Sequence, residues 1–249
     1  MDRTGSFEGL IVTPKPMLCR NWVNNSEMAA PIVQSSVGVT LVGGAPLTRG
    51  ALARSLAAAP RLVAADGGAD RLLRLGHRPE AVIGDLDSLS STARAVLGAA
   101  VHLIPEQETT DFDKALRHIS APFVLGLGFS GARLDHGLAV LNALVRHPDR
   151  RCLIIGQGDL TFLAPPQISL CLAVGSRLSL FPLRAVTGRS EGLRWPIDGL
   201  DFAPDARIGT SNEVAGPVTL TFDAPGMLVI LPQRALPAVL AALSLVRGE

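Results

Sequence analysis

Two aspartates stand two positions apart in "AVIGDLDSL", residues 81–89, where Asp85 and Asp87 follow a short apolar run and a glycine. Like charges held that close repel and resist shared desolvation, so they are tolerated on a solvated loop or around a divalent cation. Two more carboxylates recur in similar settings. Asp66 ends an apolar run in "AADGGAD", and Asp111 opens a helical stretch in "ETTDFDKAL". Taken singly, each is most simply a helix cap or loop residue. Four of them at strand ends, with glycines that let a ligand approach, favour a metal. Oxygen ligands without His or Cys suit Mg2+, which is usually held by one or two carboxylates together with phosphate oxygens.

Other residues add to this chemistry more weakly. Gly43 and Gly44 in "VGGAP" fit a backbone approach to phosphate, although the stretch is neither a Walker loop nor a dinucleotide fingerprint. In "GFSGARLDHGL", residues 128–138, Arg133 offers a bidentate fork for phosphate and Asp135 another carboxylate. The same two residues would serve equally as an ion pair at a helix start. His136 reads as an orienting or structural residue, because no second His stands near it. Lys114, one turn after Asp111, reads as facing solvent. No Ser-His-Asp or Cys-His arrangement for nucleophilic catalysis is found.

The elements that must position these residues follow from periodicity. From residue 38, short apolar runs alternate with helical spacing: "VGVTLVGG", "RLVAAD", "AVIGD", "FVLGLG" and "RCLIIGQ" read as strands. Between them lie "TRGALARSLAAA" with Thr48 as N-cap, "GGADRLLRLG" closed by Gly76, "TTDFDKALRHI" and "RLDHGLAVLNALVRH" as helices. This predicts an α/β domain over residues 37–163, a mostly parallel sheet with helices on both faces and ligands outside the carboxyl ends of its strands. After "APPQ" the runs "ISLCLAV", "RLSLFPL", "PVTLTFDA" and "GMLVILP" alternate with period two. They predict a smaller antiparallel β domain over residues 164–249, closed by a helix in "RALPAVLAALSLV". Residues 1–36 read as an arm without periodic pattern, and Met28 as a natural alternative start.

Bulk composition fits this organisation. The 249 residues are 47% hydrophobic and 18% charged with a formal net charge of +1, which describes a globular chain and excludes a clustered basic footprint for nucleic acid. No apolar run reaches the length of a membrane span. The three cysteines, Cys19, Cys152 and Cys171, lack metal-ligand spacing and leave an odd count, so a reducing cytoplasm is expected.

In order along the chain stand "ADGGA", "GDLDS", "TDFDKAL", "GARLDH" and "GTSNE". Together they resemble the motif set of the thiamine pyrophosphokinase (thiamine diphosphokinase) family, over about residues 38–232. The resemblance implies a catalytic α/β domain followed by an all-β sandwich, and transfer of a diphosphoryl group from ATP to thiamine with release of AMP. It implies that Asp85, Asp87 and Asp111 hold Mg2+ and the triphosphate, with Arg133 and Asp135 as further catalytic groups. Gly43, Gly44, Asp66, Gly67, Arg133 and His136 would bind ATP. Gln107 and Thr110 would lie at the thiamine, joined by Ser211 and Asn212 from the partner subunit of a homodimer with shared active sites. Animal and fungal relatives carry a tryptophan near the end of the β domain that stacks on thiamine. This chain reads "GMLVIL" there, and Trp195 lies in a different element. A related hydroxymethylpterin-type diphosphokinase, or a non-catalytic nucleotide- or thiamine-binding protein, stands as the alternative.

Overall fold

The structure, a computed structural model, describes residues 30–243. Most of the expected arm, with Cys19 and Met28, lies outside the described residues. Its last part does not behave as an arm. Strand β1 (Val33–Gln34) pairs in parallel with a short strand in the segment after the fourth helix, and Val33 is buried. The fold therefore begins about five residues before the first strand that periodicity revealed. Two residues are too short a run to register as a pattern; the backbone bonds from Ile32 and Val33 to the His118 carbonyl supply the order.

The parallel half follows as β2 (Val39–Val42), α1 (Arg49–Ala58), β3 (Arg61–Ala65), α2 (Gly68–Arg74), β4 (Ala81–Gly84), α3 (Ser91–Leu97) and β5 (Val101–Leu103). It continues with α4 (Asp111–Arg117), β6 (Ile119–Ser120), which is the partner of β1, then β7 (Val124–Leu127), α5 (Leu134–Arg146) and β8 (Cys152–Ile155). The strand order is β8-β7-β2-β3-β4-β5, and every neighbouring pair in it is parallel. The chain reverses its direction across the sheet between β2 and β7, which makes their carboxyl ends the switch point where ligands bind in sheets of this kind. Helices cover both faces. Leu52 of α1, Leu72 of α2 and Leu97 of α3 pack in one core, whereas Phe112 and Leu116 of α4 and Leu144 of α5 pack in the other. Thr48 and Thr110 cap their helices as expected, each accepting a backbone N–H from the first turn.

The second half contains β9 (Asp159–Leu163), β10 (Gln167–Leu170), β11 (Arg177–Pro182), β12 (Val186–Leu193), β13 (Asp201–Phe202), β14 (Thr210–Phe222), β15 (Met227–Pro232) and α6 (Leu236–Ala242). It is antiparallel throughout, but it is not set apart from the first half. Strand β9 folds back on β8 and also pairs with β15, so one sheet runs from β5 through both halves. Strand β14 pairs with β11 along Thr210–Glu213 and with β10 along Val218–Thr221. It changes partners around Gly216–Pro217, where proline removes a ladder donor and the strand turns a corner between layers. Leu178, Val214, Leu220 and Val229 fill the space behind it.

Because β9 is shared, the two halves should unfold as one. Phe162, at the centre of β9, is 1% exposed. Phe162→Ala is expected to cost about 3–5 kcal/mol. A single chemical-denaturation transition should be seen by both far-ultraviolet dichroism and the fluorescence of Trp195 in a Trp22→Phe background. Two separated transitions would show independent halves.

Candidate active site

The four carboxylates do converge. Gly84, the last residue of β4, is required for this: a Cβ there would lie 2.8 Å from Asp111 Oδ1 and 3.0 Å from Asp66 Cβ. Without that methyl group, the Asp111 carboxylate rests against the strand end and accepts the Asp85 N–H at 3.1 Å. Leu86 takes a left-handed φ of 64° and is buried. Anchored in the core, it leaves its neighbours Asp85 and Asp87 facing a common cleft. Asp66 has a φ of 41°; it and Leu86 are the only non-glycine residues with positive φ among those described. Strained backbone of this sort persists where surrounding structure over-determines it, as at ligand sites.

Asp66 is 4% exposed, and its Oδ2 accepts the Ser88 N–H at 3.1 Å while Oδ1 has no partner among the described residues. Burial, and next the charge of Asp111, push its carboxyl up to about 6. Oxygens of Asp66, Asp85 and Asp87 lie within 4.8 Å of one another. An unpartnered buried carboxylate oxygen beside two others is a fitting donor set for a hard divalent cation. Asp66 thus joins Asp85 and Asp87 in that set directly. Asp111 Oδ1 is already engaged by the Asp85 N–H and by Lys114.

Lys114 corrects the sequence reading, which turned it to solvent. It is fully buried, and its Nζ lies 2.8 Å from Asp85 Oδ2 and 3.3 Å from Asp111 Oδ1. Burial opposes its charge, but Asp85 and Asp111 more than compensate and hold its ammonium above the usual lysine range; in return Lys114, chiefly, holds Asp85 below the carboxylate range. Position i+3 from Asp111 on a helix was the signal for this contact. What the sequence hid was Asp85, arriving from another element. Arg71 was also missed. Its Nε and Nη2 donate to the Gly44 carbonyl at 3.2 and 3.0 Å and so fix the glycine turn after β2.

The cleft has a volume of about 530 Å3. Gly43, Gly44, Asp66, Gly67, Asp85, Asp87, Thr110, Asp111, Arg133 and His136 all line it. Phe129, edge-on to Phe112 at 4.8 Å, adds an apolar wall that sequence reasoning did not find. Asp135 lies outside the lining, paired with exposed Arg133 at 2.6 Å. Gln107 reaches Asp85 Oδ2 with its Nε2 at 3.4 Å. Ser211 and Asn212 sit on β14 and do not line this chain's cleft. Ser211 is exposed. Buried Asn212 accepts the Trp195 N–H at 3.1 Å and donates to the Trp195 carbonyl at 2.6 Å. It therefore presents Trp195, which is 52% exposed, with the Arg194 guanidinium 5.0 Å from the indole centroid.

A parallel sheet with acidic groups and glycines at its switch point, continued into an antiparallel half, is the form of a phosphate-handling transferase. The family description "Thiamin pyrophosphokinase, catalytic domain" matches residues 52–155, and "Thiamin pyrophosphokinase, vitamin B1 binding domain" matches residues 167–227. Together they cover more than half of the chain, which belongs to the thiamin pyrophosphokinase family. Thiamine pyrophosphokinase 1 of Oryza sativa subsp. japonica is 28% identical over 187 residues, 61% of this chain and 71% of that protein. Thiamine pyrophosphokinase 1 of Arabidopsis thaliana is 28% identical over 188 residues, 60% of this chain and 69% of its own. In fold, the chain is similar to thiamin pyrophosphokinase from Candida albicans, with TM-score 0.68, 15% identity, and coverage of 81% and 93%. The enzyme from Geobacillus thermodenitrificans gives TM-score 0.65, 23% identity, and coverage of 79% and 97%.

The raised carboxyl of Asp66 makes a testable cost. A carboxyl whose folded value lies near 6 instead of 3.8 binds its proton more tightly in the folded state, so stability falls as pH rises through that window. The full effect approaches about 3 kcal/mol above pH 7. Asp66→Asn should therefore melt higher than wild type in metal-free buffer, by a margin that grows from pH 4 to pH 7, while losing turnover. A margin independent of pH would show that Asp66 is not strained by its charge.

Proposed function

We propose that this chain is a thiamine diphosphokinase, moving a diphosphoryl group from ATP to the hydroxyl of thiamine and releasing AMP. One observation carries the reading. Asp66, Asp85, Asp87 and Asp111 gather at the switch-point cleft of a chain whose second half matches a vitamin B1 binding domain. That second match also favours thiamine over a pterin alcohol, since a pterin diphosphokinase would need the same carboxylates. Mg2+, held by Asp85 and Asp87 with Asp66 and Asp111, would neutralise the triphosphate when bound. Gly43 and Gly44 let the phosphates approach backbone. Arg133 is free to exchange Asp135, an exposed partner, for a phosphate oxygen. The alcohol oxygen bonds to the β-phosphorus and its proton is lost to solvent, the bond between that phosphorus and the α,β-bridging oxygen breaks, and AMP departs with that oxygen. Positioning and charge neutralisation carry such a transfer.

The site is completed by a second copy of the chain. Ser211, Asn212 and Trp195 lie outside their own chain's cleft, yet Trp195 offers an exposed aromatic face. Exposed Leu134 and Leu138 on α5, next to Arg133, supply an apolar surface for the partner's β half to cover. In a two-fold pair each cleft then receives the other chain's Trp195 loop.

Incubation with ATP, Mg2+ and thiamine should yield thiamine diphosphate and AMP in equal amounts; ADP as the main nucleotide product would mean an ordinary kinase. Asp85→Asn and Asp87→Asn should each abolish turnover with the fold intact, and near-normal rates in saturating Mg2+ would remove them from the metal site. Asp87→Ala and Asn212→Ala should each be nearly inactive alone. Freely exchanged mixtures should recover roughly a quarter of wild-type activity, because half the dimers are mixed and each has one intact site. Mixtures that stay inactive despite proven exchange would place the whole site within one chain.

A further inference from the structure

Next to Lys114, but on the opposite side of α4, the Asp113 side chain is 3% exposed between α4 and α5. It accepts from Arg117 Nε at 2.9 Å, Arg146 Nη1 at 3.0 Å and His147 Nε2 at 3.2 Å. Burial opposes its ionisation, but His147, Arg146 and Arg117 outweigh burial and hold the carboxyl below its ordinary range. Asp113 is thus a fixed anchor. Of its three partners, Arg117 also reaches the segment ahead of α4: its Nη2 donates to Glu106 Oε1 at 2.9 Å and to Thr109 Oγ1 at 3.1 Å. The Thr109 hydroxyl donates to the same Glu106 oxygen.

That segment has little else to hold it. Among the described residues, no backbone hydrogen bond begins or ends in residues 105–109. Yet it carries Gln107, whose amide lies on Asp85, and Thr109, which lines the cleft. Glu106 and Thr109 bracket Gln107, and one planar guanidinium ties both to the buried anchor. A lysine's compact ammonium lacks the spread of this fork, in which Nε and Nη2 reach acceptors on two elements.

We propose that Arg117 is a positioning residue that clamps residues 105–109 to Asp113 and thereby sets affinity for the acceptor alcohol; this rests on the assignment of Gln107 to the thiamine side of the cleft. Arg117 touches no substrate. It acts by keeping Gln107 and Thr109 where a substrate would meet them, so its loss should weaken acceptor binding and leave the phosphate side alone.

The test is Arg117→Met in the full-length protein. Asp113 keeps Arg146 and His147, and the apolar stem is retained, so the fold should survive. Cleavage after Glu108 by a glutamate-specific protease should quicken by about tenfold, the scale of a lost charge-assisted hydrogen bond, with sites outside residues 105–110 unchanged. The KM for thiamine should rise by a similar factor, about tenfold, with the KM for ATP held. Arg117→Lys should fall between the two, and adding Glu106→Ala to Arg117→Met should cause little further change, because both break one clamp. If Arg117→Met fails to fold, Glu106→Ala alone provides the same two readings. Unchanged cleavage in this segment would overturn the clamp, and a KM for ATP that rises as much as that for thiamine would overturn the acceptor role. Should wild type turn over no thiamine, the acceptor reading falls with the proposed function, and cleavage alone decides the clamp.

Discussion

Everything at this site depends on holding four carboxylates together before any cation arrives. Asp66, Asp85, Asp87 and Asp111 converge from two strand ends and a helix start, and like charges in a half-dry cleft repel strongly. Lys114 is the buried positive group set among them, and it engages only Asp85 and Asp111. Among the described residues Asp66 and Asp87 have no cationic partner, and Asp66 shows it in a carboxyl pushed up to about 6 and an oxygen with no donor. One lysine stabilises half of the cluster and leaves the other half short of charge. That imbalance is what a divalent ion would relieve.

The fold supplies the force that opposes this repulsion. Val63, Ala65 and Ile83, on the strands that deliver Asp66 and Asp85, are buried against α4 in the same core as Phe112 and Leu116. The helix that carries Asp111 and Lys114 is thereby fixed against the strands that carry their partners. Gly84 removes the one side chain that would keep them apart. Leu86, buried between two acidic neighbours, turns hydrophobic burial directly into carboxylate placement. Strain of about 1–2 kcal/mol in its left-handed backbone is offset by burial of a leucine side chain, worth about as much.

How far the sequence discloses this depends on the distance over which each feature is decided. Strands β2, β3, β4 and β7 and helices α1 and α4 were legible, because apolar runs, glycines and threonine caps are local. The acidic cluster was legible as well, since parallel strands present their carboxyl ends on one edge. Lys114 was not: a helical lysine faces water by default, and its burial is decided by Asp85 on a strand nearly thirty residues away. The dual role of β9 was hidden because "DLTFL" reads the same whether it ends one sheet or joins two. Strand β12, reading "VTGRSEGL", is polar enough to pass for a loop and is a strand because β14 and β13 flank it. Val33 is ordered by β6 alone.

The β half carries a similar lesson about what a motif residue does. The resemblance assigns Asn212 to thiamine, whereas its side chain amide is occupied by the backbone on both sides of Trp195. Its third contact, the Glu213 N–H at 2.9 Å, leaves little capacity for a ligand. A buried asparagine so fully bonded serves best as a rigid mount, and the exposed group it mounts is an indole with a guanidinium beside it. Such a pair offers a partly exposed aromatic surface. The residue that makes contact and the residue that makes contact possible are then different, just as Arg117 is distinct from Gln107 across the cleft. Asn212 and Arg117 each hold a short irregular segment, one bearing Trp195 and the other Gln107.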